Sequence, residues 1–442
     1  MKVLIIGAGE VGFELSESIR RKGHDVILVD KKRKACKDAS VLDVKVVHGN
    51  GARPELLESI DIKSARYFFA VTDDNETNLV ACSIAKSAGC KTIARINGLE
   101  YIQSPVSKRF SQIGVDFAVS PELIIAKKIS NIINVPPAID RNLFMGGKVN
   151  VLEFKVLKKS KIAGKKIKDI RFPSNVNLGA IIRENRVLVP HGNDKLLEDD
   201  ELIVVTCGNK SEKKMVKMVG RKKNQVNNVM IVGATDIGIN VSKRLSDSGV
   251  SVTLIDNSTK KARKAAEMLR NVRVIKGDAR DKKVLIEEGI LRMDAFASTT
   301  NSEEFNVIVS LLAKIYGVEK TITTVKELGL KSLIETVGID FAASPELDTA
   351  NTMLRFAKEL NPLQATPIHG GDIYILEMDV KKNSKVIGQS LNESELSKQG
   401  MVGAIIRGGR TIIPHGNEVF KNGDKVIIFV LKEKITEVEE LF

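Results

Sequence analysis

Four residues near the start of the chain have the types and spacing that hold a dinucleotide. Gly7, Gly9 and Gly12 form Gly-x-Gly-x-x-Gly, and Asp30 follows 18 residues after Gly12, close to the separation found in dinucleotide-binding βαβ units. In such a unit the first glycine permits a tight turn and the second lets backbone approach a pyrophosphate. The third lets helix and strand pack closely. The whole turn, Gly7-Ala8-Gly9-Glu10-Val11-Gly12, would end at a helix N-terminus, whose free N–H groups and positive dipole end suit phosphate. Asp30 can accept hydrogen bonds from ribose hydroxyls. A carboxylate there opposes the 2′-phosphate of NADP, an argument softened by Lys31, Lys32 and Arg33 beside it.

The surrounding pattern supplies the elements that must position these residues. An apolar strand, Lys2 to Ile6, precedes the glycines. A helical pattern with Val11, Leu15, Ser18 and Ile19 on one face follows, and the strand Val26 to Val29 delivers Asp30. Further short strands start near Val44, Tyr67, Thr92 and Phe117. Alternation of strand and helix predicts an α/β fold with a doubly wound parallel sheet. In such a sheet a ligand lies beyond the carboxyl ends of the strands. Gly49-Asn50-Gly51, Thr72-Asp73-Asp74-Asn75 and Arg95 are therefore the expected remaining lining. Asn50 can bond adenine or ribose. Thr72 and Asp73 can reach a second ribose or a terminal phosphate. Arg95 offers phosphate a planar fork of donors, or forms an ion pair with Asp73 or Asp74.

The chain then repeats itself. Gly233-Ala234-Thr235-Asp236-Ile237-Gly238 restates the opening motif, and Asp256 again lies 18 residues beyond its last glycine. Gly114-Val-Asp-Phe-Ala-Val-Ser-Pro-Glu122 recurs as Gly338-Ile-Asp-Phe-Ala-Ala-Ser-Pro-Glu346, and Gly179-Ala-Ile-Ile-Arg183 as Gly403-Ala-Ile-Ile-Arg407. A unit of about 220 residues is written twice, and such duplication outranks any single motif. Each copy ends in a small α+β module of about 75 residues, with a helical stretch expected from Lys165 to Ile170 in the first. Composition shifts at Asn134-Val-Pro-Pro-Ala138, Gly146-Gly147, Asn361-Pro362, Pro367 and Gly370-Gly371 place the domains at 1–134, 147–220, 226–360 and 368–442. The second pocket departs from the first. Thr235 replaces the middle glycine, Thr324 stands for Arg95, and Asp278 for Asn50, while Thr299 is matched to Thr72. A mononucleotide, weaker binding or an empty structural pocket are the readings these changes leave open.

Composition narrows the function. No segment approaches the roughly 18 apolar residues of a membrane span, and the short apolar run at the N-terminus is not read as a signal peptide. A cytoplasmic protein is expected. Cys36, Cys82, Cys90 and Cys207 form no metal or disulfide framework and read as free thiols. His191 and His415 recur at equal places, in turns without the ligand spacing of a metal site. Neither a metal site nor a catalytic residue is expected. The net charge of +14 suggests nucleic acid, an anionic membrane surface, or nucleotide plus an acidic partner. Lys155 to Lys168 and Lys213 to Lys223 are basic stretches without interleaved aromatics, unlike a base-stacking surface, and read first as solvated basic faces.

The order of Rossmann unit and small module, twice over, resembles the peripheral regulatory subunits of Trk potassium-uptake systems. These are built from tandem RCK (KTN) domains of N and C type. The resemblance rests on Gly7-x-Gly9-x-x-Gly12 with Asp30, Gly49-Asn50-Gly51, Thr72 to Asn75, Arg95, and the repeated Ser-Pro-Glu and Gly-Ala-Ile-Ile-Arg segments. It implies a regulator peripheral to the inner face of the plasma membrane. Such a regulator binds NAD(H) or ATP/ADP and docks on a membrane-embedded potassium-translocating subunit of TrkH/TrkG type. It further implies a homo-oligomer, four chains giving a ring of eight RCK units, with no nucleic-acid partner. An NAD-dependent dehydrogenase would need a proton-transfer group poised beside the nicotinamide. A nucleotide-responsive, nucleic-acid-binding redox sensor would need a recognisable reading motif. The sequence offers neither.

Overall fold

A computed structural model describes residues 1–98, 105–134, 141–145, 148–158, 160–184, 186–207, 209–219, 226–326, 334, 336–357, 366–368 and 373–442. The segments 135–138, 146–147, 361–362 and 370–371, Lys159 and the basic residues 221–223 lie outside the described residues.

The chain divides into two compact units, Met1–Ser130 with Asn227–Pro362, and Asn131–Val226 with Leu363–Phe442. Like domain thus joins like, rather than each repeat closing on itself.

In the first unit, β1 (Lys2–Ile6), α1 (Glu10–Arg21), β2 (Asp25–Asp30), α2 (Arg33–Ala39), β3 (Lys45–His48), α3 (Pro54–Ser59), β4 (Tyr67–Ala70), α4 (Asn75–Ser87), β5 (Lys91–Arg95), β6 (Phe117–Val119) and α5 (Pro121–Asn134) form the first Rossmann domain. Its six parallel strands run β3-β2-β1-β4-β5-β6, so the order reverses beside β1, where doubly wound sheets bind ligands. β1 and β4 are almost wholly buried, as a sheet covered on both faces requires. Helix α1 buries Val11, Gly12, Leu15, Ser16 and Ile19, so Ser16, not Ser18, completes the predicted inner face.

The small module of the first repeat, in the second unit, contains β7 (Arg141–Phe144), β8 (Val149–Lys155), β9 (Val176–Arg183), β10 (Arg186–Leu188), β11 (Glu201–Thr206) and α6 (Asn209–Met218). The predicted helix at Lys165 to Ile170 is only a 3-10 turn, Ile167–Asp169. The second Rossmann domain repeats the first with β12 (Asn228–Val232), α7 (Asp236–Asp247), β13 (Ser251–Asp256), α8 (Thr259–Met268), β14 (Val272–Lys276), α9 (Lys282–Glu287), β15 (Ala295–Ser298), α10 (Glu303–Ile315), β16 (Lys320–Thr324), β17 (Phe341–Ala343) and α11 (Pro345–Phe356). Its strands run β14-β13-β12-β15-β16-β17.

The last module has β18 (Thr366–Ile368), β19 (Ile373–Asp379), α12 (Leu396–Gln399), β20 (Gly400–Arg407), β21 (Arg410–Ile412), β22 (Lys425–Leu431) and α13 (Ile435–Glu439). Both modules are five-stranded antiparallel sheets of the same topology. Their sheets begin at Arg141 and Thr366, slightly before the expected boundaries at 147 and 368. In each, the arginine ending the Gly-Ala-Ile-Ile-Arg strand clamps a buried aspartate. Arg183 holds Asp200 at 2.7 and 2.8 Å, and Arg407 holds Asp424 at 2.8 Å twice.

The two Rossmann domains share one core. Ala350, Met353, Leu354 and Ala357 at the end of α11 pack with Val3, Ile5, Leu15 and Ile19 of the first repeat. Lys128 of α5 reaches Asp348 of α11 at 2.9 Å, and the rings of Phe117 and Phe356 stack at 4.4 Å. Among the described residues no helix is long and apolar enough to cross a membrane.

Candidate functional site

The first pocket opens where β1 gives way to α1. Gly7 has φ +104°, and a Cβ there would lie 2.9 Å from the Thr72 nitrogen, so only glycine suits the turn. A Cβ on Gly12 would collide with the Gly7 carbonyl oxygen, whereas one on Gly9 meets no protein atom within 4 Å. Gly9, the N-cap of α1, therefore leaves its space to whatever enters the cavity. Asp30 ties the turn together: one carboxylate oxygen accepts from the Ala8 N–H at 2.7 Å and the other from the Lys32 N–H at 2.7 Å.

A cavity of about 630 Å³ lies over this turn. Gly7, Gly9, Glu10, Val11, Asp30, Asn50, Gly51, Thr72, Asp73 and Arg95 line it, with Gly49 and Asp74. Ala8 faces an adjoining cavity of about 460 Å³, and Gly12 is buried behind the turn. The lining groups also serve the protein. Asn50 Oδ1 accepts from the Ala52 N–H at 3.0 Å, and the Thr72 hydroxyl donates to Asn78 Oδ1 at 2.7 Å. Arg95 realises the ion-pair alternative, with Nη1 on Asp73 Oδ1 at 3.0 Å and Nε donating to Asn97 Oδ1 at 3.0 Å. It still faces the cavity, so an entering phosphate competes with Asp73 for it.

Three residues of the second repeat line this cavity beyond the expected set, Asn301, Lys326 and Glu346; Ala35, Val71 and Thr77 of the first repeat join the wall as well, and Asn75 does not. Glu346 stands in the Ser-Pro-Glu segment at the start of α11, which crosses onto α1. The repeat marked that segment, but no spacing could assign it to the first pocket, because the packing of α11 puts it there. Its Oε2 is buried without a hydrogen-bond partner among the described residues. Burial pushes its carboxyl above the usual range and Glu10 adds to this, while Lys326 and Arg95 oppose it.

The second pocket is a cavity of about 510 Å³ lined by Val232, Gly233, Asp256, Gly277 and Arg280 among others. Asp256 repeats the Asp30 arrangement, accepting from the Ala234 N–H at 2.7 Å and the Ser258 N–H at 2.8 Å. The other expected residues move away. Ala234, Thr235, Asp236, Ile237 and Gly238 are not in its wall. The Thr235 hydroxyl donates to the Thr299 carbonyl at 2.7 Å and accepts from the Gly238 N–H at 3.2 Å, capping α7 from within. Asp278 is held by Arg280 at 2.7 Å, an ion pair that keeps its carboxyl below the usual range.

Thr299 does not take the place of Thr72. It is buried, its hydroxyl bonded to the Val232 and Gly233 carbonyls, so it corresponds to Val71. Thr300 is the counterpart of Thr72: its N–H and hydroxyl meet Asn306 Oδ1 at 3.0 and 2.6 Å, as those of Thr72 meet Asn78. Thr324 is buried, with its hydroxyl on the Ser298 carbonyl at 3.2 Å, so the cation of Arg95 is indeed lost there. Lys261 and Arg280, which the sequence reading did not name, bring positive charge to the wall instead. His191 lies in an exposed turn beside Asp194.

Duplicated Rossmann domains, each followed by a small antiparallel module, define a tandem two-domain architecture written twice. The TrkA-N domain matches residues 3–121 and 229–345, and the TrkA-C domain matches 151–209 and 375–442. The chain belongs to the TrkA family. It is 35% identical over 451 residues to a Trk system potassium uptake protein TrkA homolog from Methanosarcina mazei, with all of both chains covered. It is 33% identical to the TrkA homolog of Archaeoglobus fulgidus, again over all of both chains. A TrkA from Vibrio alginolyticus is 29% identical over 100% of this chain and 98% of its own. Among solved structures, the GsuK channel bound to NAD shares the fold, with a TM-score of 0.63 and 17% identity over 100% of this chain and 78% of that one.

Proposed function

We propose that the protein is the nucleotide-sensing regulatory subunit of a Trk-type potassium uptake system. It binds NAD(H), ATP or ADP and gates a membrane-embedded potassium-translocating subunit of TrkH/TrkG type. The observation that carries this is the first pocket, where a glycine turn and Asp30 of one repeat face Asn301, Lys326 and Glu346 of the other. A ligand there touches both halves of the first unit, so its affinity depends on how they pack. Binding then biases that packing, which is the thermodynamic requirement for a ligand-driven switch. The names of the relatives and the NAD-bound channel of similar fold support the reading. On it, the chain works as a homo-oligomer, four copies forming a ring of eight RCK units, peripheral to the inner face of the membrane. The role is regulatory rather than catalytic.

Calorimetric titration of the full chain with NADH, NAD, ATP and ADP, alongside Gly9→Ala, tests the reading. Saturable binding of at least one nucleotide, weakened roughly 10- to 100-fold in the variant, supports it. Absence of binding by all four refutes it.

A further inference from the structure

The positive charge recurs at one place in both repeats: the stretch from the end of β2 or β13 to the start of the helix beyond the edge strand. Residues 31–55 hold seven Lys and Arg against three acids, and residues 257–283 hold ten against three, a net +11 in all. All seventeen cations are exposed. Arg263, Arg273 and Arg280 pair with acids, but among the described residues the eleven lysines form no salt bridge. Each stretch contains the outermost strand of its sheet, β3 or β14. The basic stretches of the first small module do not recur in this way: residues 379–392 of the second hold three lysines and one aspartate before Asn392.

Neither edge contains Phe, Tyr or Trp, so neither offers the ring faces on which single-stranded nucleic acid stacks. Each does carry an exposed aliphatic side chain just past or at the end of its basic helix: Val41, 78% exposed, and Met268, 45% exposed. Unpaired lysines on flexible stems are point charges suited to a diffuse anionic surface, not the rigid forks of bidentate recognition. Mobile cations around an apolar side chain match the headgroup and upper acyl region of an anionic bilayer.

We propose that each of these Rossmann edges is a docking surface for anionic lipid headgroups, engaged directly and without a protein partner. The proposal does not depend on which nucleotide is bound. Lys37, Lys45, Lys260 and Lys264 lie on these edges outside both nucleotide cavities, so they can be neutralised without touching the pockets.

The test is co-sedimentation of the full chain with phosphatidylcholine vesicles and with mixed phosphatidylcholine–phosphatidylglycerol vesicles, for the native protein, K37Q/K45Q and K260Q/K264Q. Binding is expected on the anionic vesicles alone, weakening as salt rises. Each neutralised cation should lower partitioning about fivefold, with nucleotide affinity unchanged. Equal binding to both vesicle types, or binding that neither variant weakens, overturns the proposal. So does tighter binding to single-stranded RNA or duplex DNA than to anionic vesicles at equal phosphate concentration, which would make the edges nucleic-acid surfaces.

Discussion

Replacing Gly9 by alanine separates ligand binding from folding. Gly9 has φ −73° and caps α1 without a side-chain bond, and a Cβ there meets no protein atom within 4 Å. Alanine is a poorer N-cap than glycine, by about 0.5–1 kcal/mol. It also restricts the unfolded chain, which offsets about 0.4–1 kcal/mol. The net change in stability is expected to stay within about 1 kcal/mol. Binding is another matter, because the methyl group occupies space that a pyrophosphate needs to meet the backbone N–H groups of the turn. Losing one charge-assisted hydrogen bond costs about 1.5–3 kcal/mol, or roughly 10- to 100-fold in affinity. Thermal unfolding and calorimetric titration read the two effects independently. Gly12→Ala is the contrast: its Cβ enters the Gly7 carbonyl, so it should destabilise by about 1–3 kcal/mol or more. Wild-type nucleotide affinity in a folded Gly9→Ala protein would refute the assignment of that space to phosphate.

Glu346→Gln should raise stability at neutral and alkaline pH. The native carboxyl titrates above its ordinary 4.5, so the folded state holds the proton more tightly than the unfolded one. Stability therefore falls as pH rises from 4.5 through the raised value, and the deficit persists above it. The amide has no such dependence, so the two melting curves should converge below pH 4.5; a constant gap across the pH range would contradict this. Arg407→Ala leaves the carboxylate of Asp424, 1% exposed, without its cation. With Arg407 itself a quarter exposed, the expected loss in urea unfolding is about 2–4 kcal/mol, and a loss under about 1 kcal/mol would count against the clamp. Burial pushes the Cys90 thiol up to about 11 and the Cys82 thiol well above its usual value. Iodoacetamide at mildly alkaline pH should spare both in the native protein, and mass spectrometry would reveal the contrary.

The duplicated parallel sheets were readable because buried strands leave short apolar runs between turn residues, and the first and last glycines of the turn recur with the same separation from the aspartate. The match of Thr299 to Thr72 failed for a local reason. Phe68-Phe69 offers two choices of register against Phe296, and aligning Phe69 displaces the rest of the strand and its exit by one residue. Strand pairing resolves it, since Ile6 faces Ala70 and Val232 faces Ser298. Alternation then sends Thr299 inward and Thr300 outward, as a one-residue slip in a strand must. Asn301, Lys326 and Glu346 were illegible for a different reason. Their place in the first pocket depends on the packing of α11 against α1, more than 300 residues away in the chain, and no local pattern encodes that meeting. The Gly-Ala-Ile-Ile-Arg repeats, useful as marks of resemblance, prove to hold a buried aspartate inside each small module.

The crossing of α11 also sets a timetable for biosynthesis. The core built on Val3, Ile5 and Leu15 is completed by Met353 and Leu354, so the first Rossmann domain leaves the ribosome with part of its apolar surface bare. At about 5–20 residues per second, the wait between the end of α5 and the end of α11 is roughly 10–45 s. During that interval the nascent chain presents a face that another nascent copy could cover with its own α11. Polysomes translating this message thus hold the ingredients for an exchanged dimer, and a chaperone that shields the α1 face would favour closure within one chain.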